Sequence, residues 1–309
     1  MLIVLMLSGL GTGCIFPSSV KAIMMWFSYK ERATVLGLNQ TAINVSGIIG
    51  AGLLPTIAIT LGWRYAFLFV SIGAMVFCLC CATLYQDPYE EAGQLRGAHK
   101  QLGKIAKPLA IGLGANFFKS RDIWMLGLSG LFIAIIEFAT VTYLVLYLKE
   151  NLLFDVVAAG GLLAMTEAAG AIGKPVSGLI SDRIFQGRRK TVFIIMGGIS
   201  SIICLVLCIG GPYLDWIIYP VLFTLGAVSI GCGGLYATIA GELGGKELAG
   251  VATGVSSAIL IIGVIIGPPL FGYIVDRTES FQIAWSVMAV SGLFSLLFAF
   301  LIREHERQM

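Results

Sequence analysis

Charged residues are scarce in this chain, at 12% of its 309 residues. Water-soluble domains carry about 25%, so the composition excludes an ordinary soluble enzyme or binding domain. Histidine is scarcer still, since the two histidines, His99 and His305, are far apart and lie in polar segments. Because a catalytic centre needs clustered reactive side chains, we expect neither enzyme activity nor a cofactor.

The sequence also argues against a nucleic-acid partner and a metal site. The net charge is only +3, and the basic residues are spread over several loops, whereas nucleic-acid binding needs a concentrated basic surface. No cysteine has the spacing to a histidine that a zinc site requires. All seven cysteines lie in apolar runs, as expected for small buried side chains: Cys14, Cys78, Cys80, Cys81, Cys204, Cys208 and Cys232.

Apolar residues, in contrast, are abundant and make up 58% of the chain. They recur in runs of about 20 residues, and a helix of that length crosses the ~30 Å hydrocarbon core of a bilayer. Backbone groups must pair internally in lipid, and the runs lack the alternation of barrel strands, so helices are favoured. The sequence predicts an all-α membrane protein with nine transmembrane helices, at about residues 2–27, 34–59, 64–85, 122–148, 157–180, 191–211, 215–240, 250–275 and 282–302.

The distribution of Lys and Arg predicts the orientation of these spans. Of the 20 basic residues, 15 fall in loops on one side of the membrane and three, Arg64, Lys149 and Arg277, fall on the other. Cytoplasmic loops are enriched in Lys and Arg. We therefore predict a multi-pass protein of the cell membrane, with Met1 outside and Met309 in the cytoplasm.

One long polar and basic segment, residues 86–121, separates three spans from six. We interpret it as a cytoplasmic linker between an N-terminal helical region, residues 1–85, and a six-helix region, residues 122–309. An internal repeat supports this division, since residues 31–54 share eight identities with residues 247–270. Spans two and three then correspond to spans eight and nine, as in transporters built from parallel repeats.

The most informative stretch is Gly178–Lys190, GLISDRIFQGRRK, between the fifth and sixth predicted spans. A glycine, the triplet Ser181–Arg183, Gly187 and three consecutive bases follow one another in this order. The order resembles the signature loop of the major facilitator superfamily, written roughly G-x-x-[SA]-D-R-x-G-R-[RK]. This copy is longer by two residues, Phe185 and Gln186, which displace Gly187.

The resemblance implies a secondary active transporter with two six-helix halves that rock around a central site. In this chain the second half would have six helices and the first only three, so we predict the superfamily fold without its first three helices. The runs at residues 26–37 (WFSYKERATVLG) and 61–67 (LGWRYAF) are similar to the organic-anion symporter and sugar-phosphate permease branch. The expected activity is proton-coupled uptake of a small organic anion by alternating access, in a protein that is monomeric when complete.

Two other functions remain open from the sequence. An exporter of drugs or metabolites would use the same fold in the opposite direction. A membrane receptor or structural protein would belong to a different class, because it would carry no solute across a sealed membrane.

Four ionisable residues stand out inside the predicted spans, where a charge costs roughly 2.5–3.5 kcal/mol on insertion scales. Glu137 is central in the fourth span, Glu167 and Lys174 lie two turns apart on one face of the fifth, and Lys21 lies near the end of the first. We predict that all four line a substrate or proton pathway, with acids that bind protons and lysines that attract anions. The alternatives are packed acids hydrogen-bonded to a neighbouring helix and lysines that reach the headgroups.

Polar uncharged residues extend this predicted pathway. Gln40 and Asn44 are four residues apart on the second span and therefore share a helix face. Tyr143 follows Glu137 on the fourth span, and Tyr236 lies among glycines on the seventh. We predict substrate contacts for these four residues, the alternative being hydrogen bonds that join helices.

Within Gly178–Lys190 we predict a conformational gate. The carboxylate of Asp182 is suited to accept hydrogen bonds from the N-terminus of a neighbouring helix or from arginine. The alternative is an ordinary capping aspartate. The predicted gate residues are Gly178, Asp182, Arg183, Gly187, Arg188 and Arg189.

Overall fold

The computed structural model describes residues 2–84, 120–210 and 216–303. Helices dominate these ranges: α1 Leu2–Trp26, α2 Arg32–Thr60, α3 Trp63–Leu84, α4 Arg121–Glu150, α5 Val156–Leu179, α6 Arg189–Gly210, α7 Ile218–Leu225, α8 Gly233–Thr278 and α9 Phe281–Leu301. A π-helical turn, Ile180–Ile184, continues α5, and a second one, Gly226–Ile230, follows α7. The predicted all-helical class is confirmed.

Within the described ranges, seven helical segments are long and apolar enough to cross a membrane. They are Trp63–Leu84, Arg121–Glu150, Val156–Ile184, Arg189–Gly210, Ile218–Gly245, Leu248–Thr278 and Phe281–Leu301. Membrane crossings by α1 and α2 stay a prediction, as does the absence of three family helices.

The chain forms two compact units, Met1–Thr41 with Gly112–Met309, and Ala42–Ile111. The boundary falls inside α2. The predicted linker, residues 86–121, lies outside the described residues except for its last two positions. In the second unit, α3 is mostly apolar, yet Ala66 is its one buried residue.

In the first unit, small residues allow α4 to pack closely against α8 and α9. Gly263 and Gly267 of α8 lie directly against the α4 backbone at Leu131 and Ile135, where any larger side chain would collide. Ser129 of α4 and Ser295 of α9 exchange hydrogen bonds, each hydroxyl donating to the other's carbonyl oxygen at 2.7 and 2.9 Å. Hydroxyls that bond across helices in this way stabilise helix association in lipid.

Bulky aromatic side chains fill the opposite part of this unit. Tyr147 of α4 packs edge-to-face against Trp285 of α9, with ring centroids 5.5 Å apart. Phe271 of α8 lies 5.2 Å from the same indole. All three side chains are fully buried, so α4, α8 and α9 share one core.

Helix α8 is bent by a single glycine. Gly245 has φ 64° and ψ −175°, a conformation that only glycine adopts without strain. The bend divides α8 into a first arm that ends at Gly245 and a second arm, Leu248–Thr278. The first arm continues the span that begins at Ile218.

Candidate functional site

The signature loop, Gly178–Lys190, is shaped by a π-turn and two residues of positive φ. The π-turn Ile180–Ile184 takes up extra chain at the end of α5, and Gln186 and Gly187 follow with φ of 50° and 88°. The Gly187 N–H donates to the carbonyl of Ser181 at 2.8 Å, which closes the loop. The two residues by which this loop exceeds the family pattern are therefore part of a compact turn.

Asp182 joins the signature loop to the start of α2. Its Oδ2 accepts hydrogen bonds from both the backbone N–H of Thr34, at 2.9 Å, and the Thr34 hydroxyl, at 2.7 Å. The N–H groups in the first turn of a helix have no partner within the helix. The carboxylate supplies one, and Gly178 lets α5 approach the backbone at Ala33.

Arg189 lies at the centre of a buried charge cluster. Its guanidinium pairs with Asp182 and donates to the hydroxyl of Ser181 at 3.2 Å. It also contacts Glu242 of the first α8 arm at 3.4 Å. Arg189 is only 3% exposed, so these contacts replace water around its charge.

Tyr29, in the turn between α1 and α2, completes this cluster. Arg189 donates to its backbone carbonyl and stacks on its ring, with 4.8 Å between the guanidinium carbon and the ring centroid. We call Tyr29, Thr34, Asp182, Arg189 and Glu242 the gate cluster. Sequence reasoning named two of them and missed the other three. Tyr29 and Thr34 lie in the run used only for family resemblance, and Glu242 had no motif around it.

The other basic residues of the signature loop point elsewhere. Arg183 and Arg188 are exposed. Lys190 donates to the carbonyl oxygen of Ile302 at 2.6 Å and lies over the ring of Phe300. Lys190 thus joins the end of α9 to the start of α6 and does not contribute to the gate cluster.

Further from the signature loop, the backbones of α2, α5 and α8 approach one another closely, with almost no side chain between them. A Cβ on Gly37 of α2 would collide with the carbonyl of Lys174 on α5, and a Cβ on Gly234 of α8 would lie 2.7 Å from the Gly37 Cα. We call this point the three-helix crossing. The Ser177 hydroxyl bridges it by donating to the Gly231 carbonyl at 3.0 Å.

Lys174 is buried at this crossing, with 6% of its surface exposed. Its Nζ donates to the backbone carbonyl of Gln40, itself buried, at 3.3 Å. The lysine also interacts electrostatically with Glu137 on α4 and with Glu167, two turns earlier on α5. Lys174 thus contacts Gln40 directly and interacts electrostatically with Glu137 and Glu167, and we call Gln40, Glu137, Glu167 and Lys174 the interior cluster.

The remaining predicted pathway residues have other surroundings. Lys21 is exposed, with its aliphatic carbons beside Gly250. Tyr143 stacks on Phe271 at 5.1 Å, and Tyr236 is buried against Gly130. Asn44 belongs to the other compact unit.

Comparison with known proteins gives the family. A family model described as Major Facilitator Superfamily matches residues 1–260. The chain is 26% identical to the probable sulfoacetate transporter SauU of Cupriavidus necator, over 93% of this chain and 70% of the relative. It is 28% identical to the membrane sensor protein UhpC of Salmonella typhimurium, over 80% of this chain and 58% of the relative.

Among solved structures, the transporter FucP in its outward conformation is similar in fold. The TM-score is 0.61 at 15% identity, and the alignment covers 95% of this chain and 74% of the other. The chain thus spans between 58% and 74% of the length of these similar proteins.

Proposed function

Because the chain belongs to the major facilitator superfamily, we propose that it carries a small organic anion across the cell membrane by proton-coupled uptake. The family also fits the prediction that the chain is a transporter and not an enzyme. Uptake would proceed by alternating access, in which helices rock around a site near the middle of the bilayer.

The observation that carries this proposal is the burial of Lys174 at the three-helix crossing. A buried ammonium group in a membrane helix is costly and is retained where it serves a function. Its neighbours Glu137 and Glu167 supply carboxylates within electrostatic reach. A substrate anion would compete with these carboxylates for Lys174, and a proton taken up by Glu137 would release the lysine to the substrate.

The gate cluster would supply the alternation. It joins the α1–α2 turn, α5, α6 and α8 on the side that the distribution of Lys and Arg assigns to the cytoplasm. With the cluster formed and the three-helix crossing in contact, the cytoplasmic side would be closed. Opening would require Asp182 to leave Thr34, and Arg189 to leave Tyr29 and Glu242.

The test is uptake of radiolabelled sulfoacetate, the anion named for one relative, into proteoliposomes with an alkaline interior. We expect uptake that exceeds the rate measured without a pH gradient. Glu137→Gln should abolish the excess, because an amide cannot bind and release the proton. Glu279→Gln, an exposed acid at the end of α8, is the control and should transport normally.

Two results would contradict the proposal. If Glu137→Gln keeps the full response to the gradient, that residue does not couple protons. If solute leaves the vesicles under the opposite gradient only, the protein is an exporter.

A second candidate function is ligand sensing without transport. The relative named as a membrane sensor protein, at 28% identity, favours it. A sensor would bind the anion, raising the thermal unfolding midpoint of the purified protein, yet would move none into vesicles. A transporter would do both.

A further inference from the structure

Tyr29 contacts the signature loop at three separate points. Its hydroxyl donates to the carbonyl oxygen of Gly187 at 2.9 Å. The Arg189 guanidinium lies over its ring, and the same arginine donates to its backbone carbonyl. A residue in a turn between two helices is thus attached to the signature loop, 158 positions further along the chain.

The two additional residues of the signature loop, Phe185 and Gln186, precede Gly187 and position it for its contact with Tyr29. Phe185 is half-buried and packs against the apolar core, which anchors the loop. The positive φ of Gln186 and Gly187 then reverses the chain, so that the Gly187 carbonyl meets the tyrosine hydroxyl. A side chain at Gly187 would collide with the Tyr29 ring, so glycine is required there by both conformation and space.

We propose that Tyr29 is a latch residue of this chain, and that the two additional loop residues, Phe185 and Gln186, exist to engage it. The proposal rests on the transport function proposed above, in which the gate cluster opens and closes. Tyr29 acts through Arg189 and Gly187 by favouring the closed cytoplasmic side. It is a positioning residue and does not contact the substrate.

The contacts set the size of the expected effect. A hydrogen bond between uncharged groups changes an equilibrium by about two- to tenfold. Stacking of arginine on an aromatic ring adds a factor of about two to five at a partly exposed site. Tyr29 is 47% exposed, so we expect values near the lower end of both ranges.

The experiment is hydrogen–deuterium exchange of the purified protein in lipid nanodiscs, which needs no substrate. Tyr29→Phe removes the hydroxyl bond and keeps the ring, whereas Tyr29→Leu removes the ring as well. We expect opening-limited exchange to rise about threefold in Tyr29→Phe and about sixfold in Tyr29→Leu. The rise should appear both in residues 28–36 and in the three-helix crossing, residues 170–178 and 230–237.

Two control variants isolate the latch. Ser28→Ala removes a hydroxyl of the same turn that donates to Glu31, within the turn itself, at 3.4 Å. Tyr273→Phe makes the same chemical change at an exposed tyrosine beside Arg277. Both should exchange like the unmodified protein at the crossing.

The proposal is overturned if Tyr29→Phe and Tyr29→Leu leave exchange unchanged. It is equally overturned if exchange rises only in residues 28–36, because Tyr29 would then merely order its own turn. If the exchange result holds and no anion is transported, the latch stands and the transport proposal fails. If transport is measured and exchange is unaltered, the transport proposal stands and the latch proposal fails.

Discussion

The gate cluster and the interior cluster both bury charge, yet they do so in different ways. In the gate cluster, Arg189 is held at short range by Asp182, Glu242 and the carbonyl of Tyr29. In the interior cluster, Lys174 donates to the backbone carbonyl of Gln40 and interacts electrostatically with the carboxylates of Glu137 and Glu167. The gate contacts join the α1–α2 turn and the ends of α5 and α6 to α8, whereas the interior cluster buries its charge within helices predicted to cross the membrane. We therefore expect the gate cluster to affect stability more and the interior cluster to affect binding more.

The largest effect is expected where the most contacts are lost at once. Arg189→Leu leaves Asp182 and Glu242 without their shared cation, and removing one partner of a buried pair typically costs about 3–5 kcal/mol. We expect the thermal unfolding midpoint in detergent to fall strongly. Arg277→Leu, which removes an exposed arginine at the end of α8, should change it little. Equal midpoints for the two variants would mean that the gate cluster does not stabilise the fold.

The interior cluster should show the opposite signature, with binding affected more than stability. Lys174→Gln removes the buried cation, and a hydrogen bond to a charged group contributes about 1.5–3 kcal/mol. The KM for a transported anion should rise at least about tenfold, with little change in the unfolding midpoint. Lys149→Gln, at the exposed end of α4, is the matched control. A large loss of stability with unaltered KM would place Lys174 among structural residues.

The three-helix crossing, which shares Lys174 with the interior cluster, allows a steric test. Gly234→Ala would set a methyl group 2.7 Å from the Gly37 Cα, whereas Gly233→Ala has only the Lys174 Cε nearby, at 3.8 Å. Overpacking of this kind costs about 1–3 kcal/mol. Both changes gain the same helix propensity, so their difference in hydrogen exchange at the crossing isolates the collision. Equal exchange would show that the helices separate easily at this point.

Much of the fold follows from apolar run length, because a run long enough for a bilayer admits few other structures. The predicted span 122–148 corresponds to α4, Arg121–Glu150, and the predicted span 191–211 to α6, Arg189–Gly210. The π-turn after α5 and the bend at Gly245 were not foreseen. Both are local departures from helix geometry that leave hydropathy unchanged.

Burial, in contrast, depends on neighbours that hydropathy does not specify. Lys21 and Lys174 have the same side chain and similar apolar surroundings, yet one is exposed and the other buried. Helices α3 and α9 are comparably apolar, but α3 buries only Ala66 while α9 buries nine residues. Glu242 was missed because its partner Arg189 is 53 positions away, and no local pattern marks such a pair.

The smallest expected effect tests whether the gate cluster acts as one unit. Thr34→Val removes the hydroxyl bond to Asp182 and keeps the backbone N–H bond, at an expected cost of about 0.5–1.5 kcal/mol. Thr142→Val, whose hydroxyl donates to the carbonyl of Phe138 on its own helix at 2.8 Å, is the control for the same chemical change. Combining Thr34→Val with Tyr29→Phe gives a double-mutant cycle, read as opening-limited exchange at the three-helix crossing. Because both residues bind one loop, we expect the effect of the double variant to differ from the sum of the two single effects by more than about 0.5 kcal/mol. Simple additivity would mean that Thr34 and Tyr29 hold the loop independently.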